Sequence, residues 1–175
     1  MKAGALEAAL QLESRRKVFS LIISSPGIHL RDIPGKLSLP LGVVQYHIKF
    51  LEDIDAIKAE REAGYVRFFP SGMGRKERTA LSALRNRSRR RILLHLLASP
   101  GATHEELTLK IGLSPSTVSW HLKKLEESGI ITLDNESKNT AYRINDRDVI
   151  IRMVIAYRES FFDKLIENFV SMWDV

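Results

Sequence analysis

Residues 113–131, LSPSTVSWHLKKLEESGII, spell out both ends of a helix. Ser114 is a good N-cap, Pro115 fits the first helical position where its missing N–H costs nothing, and Gly129 suits the left-handed residue that ends a helix. Between them Val118, Leu122 and Leu125 form one apolar stripe at spacings of four and three. Ser116, Thr117, Ser119, Trp120 and Lys123 lie around the other side, and Ile130 and Ile131 start a strand. Small hydroxyls let a helix approach base edges in a major groove, and a lysine near the far end reaches a phosphate. An isolated stretch of this kind is more often a solvated helix face. Its neighbours change the reading.

From Arg15 onward the chain matches itself at an offset of 74 residues. RRKVFSLIISSPG (15–27) aligns with RRRILLHLLASPG (89–101), and LGVVQYHIKFLEDIDAI (41–57) with PSTVSWHLKKLEESGII (115–131). Such self-similarity implies two copies of one supersecondary unit. Each copy reads as a helix ended by Pro-Gly, a short helix, a turn, a recognition-type helix and two strands, which together make a winged helix-turn-helix. In the second copy Thr103 to Glu106 has capping-box spacing, Gly112 stops the short helix, and strands 130–134 and 140–144 flank a polar turn. In the first, Pro34 and Gly35 predict a short or kinked helix, Asp55 replaces Gly129, and Glu62-Ala63-Gly64 turns the wing.

Composition narrows the classes further. Lys and Arg number 27 against 21 acids, with a pI near 9.7, and residues 71–91 carry eight basic residues against one acid. This points to a polyanionic partner. The chain has no cysteine, which removes thiolate metal sites and cysteine catalysis, and no residue set has the spacing of a nucleophile with its base. No catalytic residue, metal or cofactor is expected. Apolar runs are too short for a membrane helix, which needs roughly 18 to 20 residues, and the N-terminus is not a signal peptide. The expected location is the cytoplasm, at the nucleoid.

The expected fold is mainly α with small β wings: an N-terminal short helix (1–14), winged helix 1 (15–70), a basic linker (71–85) in which Arg75 to Leu84 can be helical, winged helix 2 (86–145) and a C-terminal dimerisation helix (146–175), one long helix or two in line. That last stretch carries Ile150, Val154, Tyr157, Phe161, Leu165, Phe169 and Trp173 at spacings of three and four, more apolar surface than one domain covers. A homodimer through these residues is the expectation. A rival is a ligand pocket around Tyr157, Phe161 and Phe162; no pattern specifies a small-molecule effector.

With RRRILLHLLASPG, IGLSPSTVSWHLKKLEESGII and VVQYHIKFLEDIDAI in hand, the sequence resembles helix-turn-helix regulators of the ArsR and MarR type, most closely archaeal proteins with two tandem winged helices. The resemblance covers about residues 15–145. It implies a transcriptional regulator binding double-stranded DNA, with the third helix in the major groove and the wing beside it. Metal sensing through thiolates, known in the ArsR group, does not carry over to a chain without cysteine.

By position, copy two would contact DNA through Ser116, Thr117, Ser119, Trp120 and Lys123, with Lys138 and Arg143 from its wing. Copy one offers Gly42, Val43, Gln45, Tyr46 and Lys49, with Arg61 and Arg67. Gln45 suits an adenine edge, and Val43 or Thr117 a thymine methyl. Tyr46 and Trp120 read equally well as packing residues at the wing base. Arg87, Arg89 and Arg90, within the run Arg85 to Arg91, suit phosphates, or else neutralise Asp163 and Glu167. His47 and His121, equivalent in the two copies, read as structural hydrogen-bonding groups; His29, His95 and His104 show no constellation. The competing function is a winged-helix interaction subunit of a chromosome or transcription assembly.

Overall fold

Ser114 and Gly129 end the helix where their chemistry requires. In a computed structural model, which describes residues 3–62, 64–134 and 141–161, Ser114 Oγ accepts from the Thr117 N–H at 3.3 Å and Gly129 takes φ +72°. The chain divides between Arg78 and Thr79 into two compact units. The first runs α1 (Ala3–Ala9), α2 (Glu13–Ser24), β1 (Ile28–His29), α3 (Asp32–Leu37), α4 (Leu41–Asp53), β2 (Ile57–Glu62) and β3 (Tyr65–Pro70). Helix α5 (Arg75–Arg85) spans the division. The second continues with α6 (Arg87–Ala98), β4 (Ala102–Thr103), α7 (His104–Ile111), α8 (Pro115–Glu127), β5 (Ile131–Asp134), β6 (Ala141–Ile144), α9 (Arg147–Ala156) and a 3₁₀ turn, Arg158–Ser160. This is the α+β winged-helix architecture, in tandem.

Each unit holds one three-stranded antiparallel sheet, ordered β1-β3-β2 and β4-β6-β5. Phe68 pairs with both Ile28 and Ala59, and Tyr142 with both Ala102 and Leu133. The two-residue edge strands escape a sequence reading because two residues show no alternation. They stitch the wing to the turn after the Pro-Gly pair: Gly27 N–H donates to Phe68 O at 2.8 Å, and Gly101 N–H to Tyr142 O at 3.1 Å.

The cores repeat as faithfully as the letters. Val18, Ile22, Ile28, Ile33, Val44, Ile48, Leu51, Ala56, Ile57 and Phe68 form one buried cluster. The offset of 74 carries them onto Ile92, Leu96, Ala102, Leu107, Val118, Leu122, Leu125, Ile130 and Ile131, all buried, and onto half-buried Tyr142. Full burial of each Leu or Ile side chain contributes about 1.5–3 kcal/mol before entropy is counted. Those contacts hold α4 and α8 against their units.

Helix ends follow local chemistry. Thr103 and Glu106 form the capping box of α7, which Gly112 ends at φ +66°, and Asn86 Oδ1 caps α6 by accepting from Arg89 N–H at 3.1 Å. Helix α3, containing Pro34 and Gly35, is only 6 residues long. Asp55 adopts φ +53°, doing in α4's terminus what Gly129 does in α8's.

Three expectations change. Within the basic linker the helix allowed for Arg75 to Leu84 forms as α5, and what the sequence did not show is that it buries Ala80, Leu81, Ala83 and Leu84. Because α1 and α5 hold corresponding places, the structural repeat starts earlier than the letters show. One unbroken helix from residue 146 does not form: α9 stops at Ala156 and a 3₁₀ turn follows. Ile150, Val154 and Phe161 are buried in their own chain and Tyr157 is half-buried, so these four are not an open dimer face. Arg85 anchors the turn by donating to Ser160 O and Ser160 Oγ, both at 2.9 Å, and its guanidinium lies 4.6 Å from the Phe161 ring centre. Leu165, Phe169 and Trp173 lie outside the described residues, as does Phe162.

Candidate nucleic-acid interface

Packing Val118, Leu122 and Leu125 into the core leaves the other side of α8 open. Ser116, Ser119, Trp120 and Lys123 are exposed and Thr117 is half-buried. Trp120 keeps 51% of its surface accessible, and Tyr46, its counterpart on α4, keeps 62%. Neither is a packing residue at the wing base. Each ring instead meets the following histidine edge-on, Trp120 with His121 at 4.9 Å and Tyr46 with His47 at 5.2 Å between ring centres. The histidines face inward. His47 shares a hydrogen bond with Ser14 Oγ through Nε2 at 2.8 Å, and both histidines are buried. Burial, then the positive charge of Arg15 or Arg89 respectively, holds His47 and His121 below the usual imidazole range.

The arginines sort by direction. Arg87 is exposed on the first turn of α6. Half-buried Arg89 carries its guanidinium 5.7 Å over the Trp120 ring, so cation and aromatic stand together on the recognition side. Arg90 corrects the sequence reading: only 6% exposed, it donates to Leu84 O at 2.7 Å and lies 5.4 Å from the Phe161 ring centre. It ties α6 to α5. Arg15 does the same in the first unit, donating to Ala9 O at 3.2 Å over the Phe50 ring.

On α4, Gly42, Val43, Gln45, Tyr46 and Lys49 are all exposed, with Leu41 beside them. This face is more apolar than that of α8. Lys49 pairs with Asp53 at 3.8 Å, and wing residue Arg61 with Glu52 at 3.5 Å. Arg143 of the second wing pairs with Asp134 at 2.7 Å. The Lys49–Asp53 pair is exposed on both sides and contributes little to stability. Arg67 is a second correction: half-buried, it donates to Gly27 O at 2.8 Å and braces the turn under the wing. Lys138 lies outside the described residues.

Sequence reasoning found no constellation for His104, and the structure gives it a partner. Its ring reaches from the start of α7 to the outer face of α8, where Nε2 meets Ser119 Oγ at 2.8 Å. The pair is 15 residues apart and no spacing rule announces it. Among the described residues, no group of three His, Cys, Asp or Glu side chains can hold a metal, and no helix is long and apolar enough to cross a membrane.

Comparison with known proteins agrees with this geometry. A family model described as winged helix-turn-helix DNA-binding matches residues 85–132, and one described as an N-terminal HTH domain matches 12–81. The HTH-type transcriptional regulator YgaV of Escherichia coli is 35% identical over 69 residues, which are 39% of this chain and 70% of that protein. The chain belongs to the HTH-type transcriptional regulators. This regulator is also 30% identical over 140 residues, 80% of its length, to an HTH-type transcriptional regulator of Methanocaldococcus jannaschii, of which it spans 35%. Among solved structures, reduced HlyU from Vibrio cholerae is similar at a TM-score of 0.40 and 27% identity, over 46% of this chain and 84% of that one. The domain matched over residues 85–132 is of the winged helix-turn-helix DNA-binding type, and both relatives are HTH-type transcriptional regulators.

Proposed function

We propose that the regulator recognises a specific double-stranded DNA sequence as a homodimer, with α8 in the major groove and its wing against the backbone. The observation that carries this reading is the open face of α8. Its ends are capped, its back is buried, and Ser116, Ser119, Trp120 and Lys123 are exposed. Arg87 and the Arg89–Trp120 pair supply charge beside it. Phosphate contacts set the docking register while base edges select the sequence. Such a protein acts at the nucleoid.

The homodimer rests on sequence alone, on the apolar series Leu165, Phe169 and Trp173. Two chains match the twofold symmetry of palindromic operators. Selection of bound fragments from random duplexes by the purified protein tests the main reading. One enriched motif is expected, with half-sites spaced by whole helical turns; enrichment of no sequence would refute it. A chain ending at Phe161 should lose dimeric mass in light scattering, and retention of that mass would remove the dimer contact from this segment.

A second reading applies to the first unit. Leu41, Val43 and Tyr46 make the outer face of α4 apolar, which suits a protein contact of the kind expected in a chromosome or transcription assembly. Replacing Val43 and Tyr46 by Ser separates the two. Loss of operator affinity in the isolated protein favours DNA, and unchanged affinity favours a protein contact.

A further inference from the structure

Ser119 Oγ lies at the end of a short relay through His104 and Thr108. Thr108 Oγ1 donates its single proton to His104 O at 2.8 Å. The same oxygen lies 3.5 Å from His104 Nδ1. With its proton already engaged, Thr108 offers that nitrogen only lone pairs, an arrangement that favours the tautomer with its proton on Nδ1. A neutral imidazole has one N–H and one acceptor nitrogen, which leaves Nε2 as the acceptor. At 2.8 Å from Nε2, Ser119 Oγ therefore donates inward. Only its lone pairs face outward, where Ser119 is exposed beside Trp120 and Lys123.

From this we infer that Ser119 is a specificity-determining residue that accepts a hydrogen bond from an exocyclic amino group in the major groove, adenine N6 or cytosine N4, with His104 as its positioning residue. An acceptor-only hydroxyl gains nothing from guanine O6 and N7, from thymine O4 or from a phosphate oxygen, all of which are acceptors themselves. The inference rests on the reading that α8 enters the major groove, and it assigns the chemical group read there.

The relay belongs to the second unit. At the corresponding positions the first unit has Leu30 for His104, Pro34 for Thr108 and Gln45 for Ser119. Neither leucine nor proline polarises anything, and the Gln45 amide both donates and accepts. The relay therefore sets α8 apart from α4: Ser119 demands a donor, whereas the Gln45 amide at the matching position offers both roles.

The test uses the full chain and its selected duplex. At each base pair within reach, the amino group is deleted in turn, with purine replacing adenine or pyrimidin-2-one replacing cytosine, and acceptors are deleted with 7-deazapurines. One amino deletion should weaken wild-type binding by about two- to tenfold. Ser119→Ala should bind the intact duplex with the same loss and be indifferent to that deletion. His104→Ala frees the hydroxyl to turn and should erase the discrimination, whereas His104→Gln, whose amide oxygen takes the same proton, should retain part of it. A general packing defect would weaken all duplexes alike and leave the discrimination intact. Coupling of Ser119→Ala to a 7-deaza position, or to a methylphosphonate that removes phosphate charge, would overturn the inference, as would unchanged binding by Ser119→Ala. Failure to select any duplex would instead overturn the sequence-specific reading beneath it.

Discussion

Arg87, Arg89 and Arg90 are neighbours in sequence and should behave differently in a salt titration. Each phosphate neutralised by a side chain contributes about 0.9 to the slope of log K against log salt concentration. Arg87 is exposed and Arg89 stands at the recognition face over Trp120, so replacing both by Ala should lower the slope by about 1.8. Between 50 and 200 mM salt, the variant should therefore lose roughly twelvefold less affinity than the wild type. Arg90 is 6% exposed and committed to Leu84 O, so Arg90→Ala should leave the slope alone. Its effect falls on stability, with about 1.5–3 kcal/mol lost for a charge-assisted hydrogen bond at a buried site. Fluorescence anisotropy on a labelled operator across that salt range measures the slopes, and urea unfolding measures the stabilities. If Arg90→Ala flattened the salt dependence as much as Arg87→Ala, or cost no stability, the assignment of directions would be refuted.

Three further outcomes follow from the helix ends and the buried histidines. Asp55 and Gly129 close α4 and α8 with matching bonds, Asp55 N–H to Glu52 O at 2.9 Å and Gly129 N–H to Glu126 O at 2.8 Å. Asp55→Gly should relieve the positive φ and stabilise the first unit by about 0.5–1 kcal/mol, while Gly129→Ala should cost the second about 1 kcal/mol. Asp55→Asn isolates the part due to charge at the helix terminus, and opposite signs in the urea midpoints are the check. Thr103→Ala removes the capping box of α7 and should cost about 1 kcal/mol, read the same way. Because burial holds His47 and His121 below the ordinary imidazole range, the unfolded chain takes up protons first as pH falls. Stability should therefore be full above about pH 6.5 and decline below it until the folded imidazoles titrate. The double variant His47→Gln, His121→Gln should show a shallower decline in urea midpoint between about pH 7.5 and 5.5, and keep some of it because His29 and His95 are displaced in the same direction. An unchanged decline would refute this role.

What the letters determined by themselves was local or repeated. Ser114, Pro115, Thr103, Glu106 and Gly112 act on backbone groups within one turn, so their consequences need no partner. The stripe Val118, Leu122, Leu125 and its echo Val44, Ile48, Leu51 identified the buried sides of both recognition helices, and with them the open faces. Only tertiary structure decided what depends on a second element. Arg89 and Arg90 look interchangeable in sequence, yet their side chains leave α6 about 100° apart, and α5 lies on one side while Trp120 lies on the other. Ile150, Val154 and Phe161 had the spacing of an interface and are core, because periodicity shows that a stripe is covered but not by what. The bond between His104 and Ser119 joins two helices and was invisible for the same reason. Spacing fixes which way a side chain leaves its helix; the identity of the atoms it meets is set by how the helices pack.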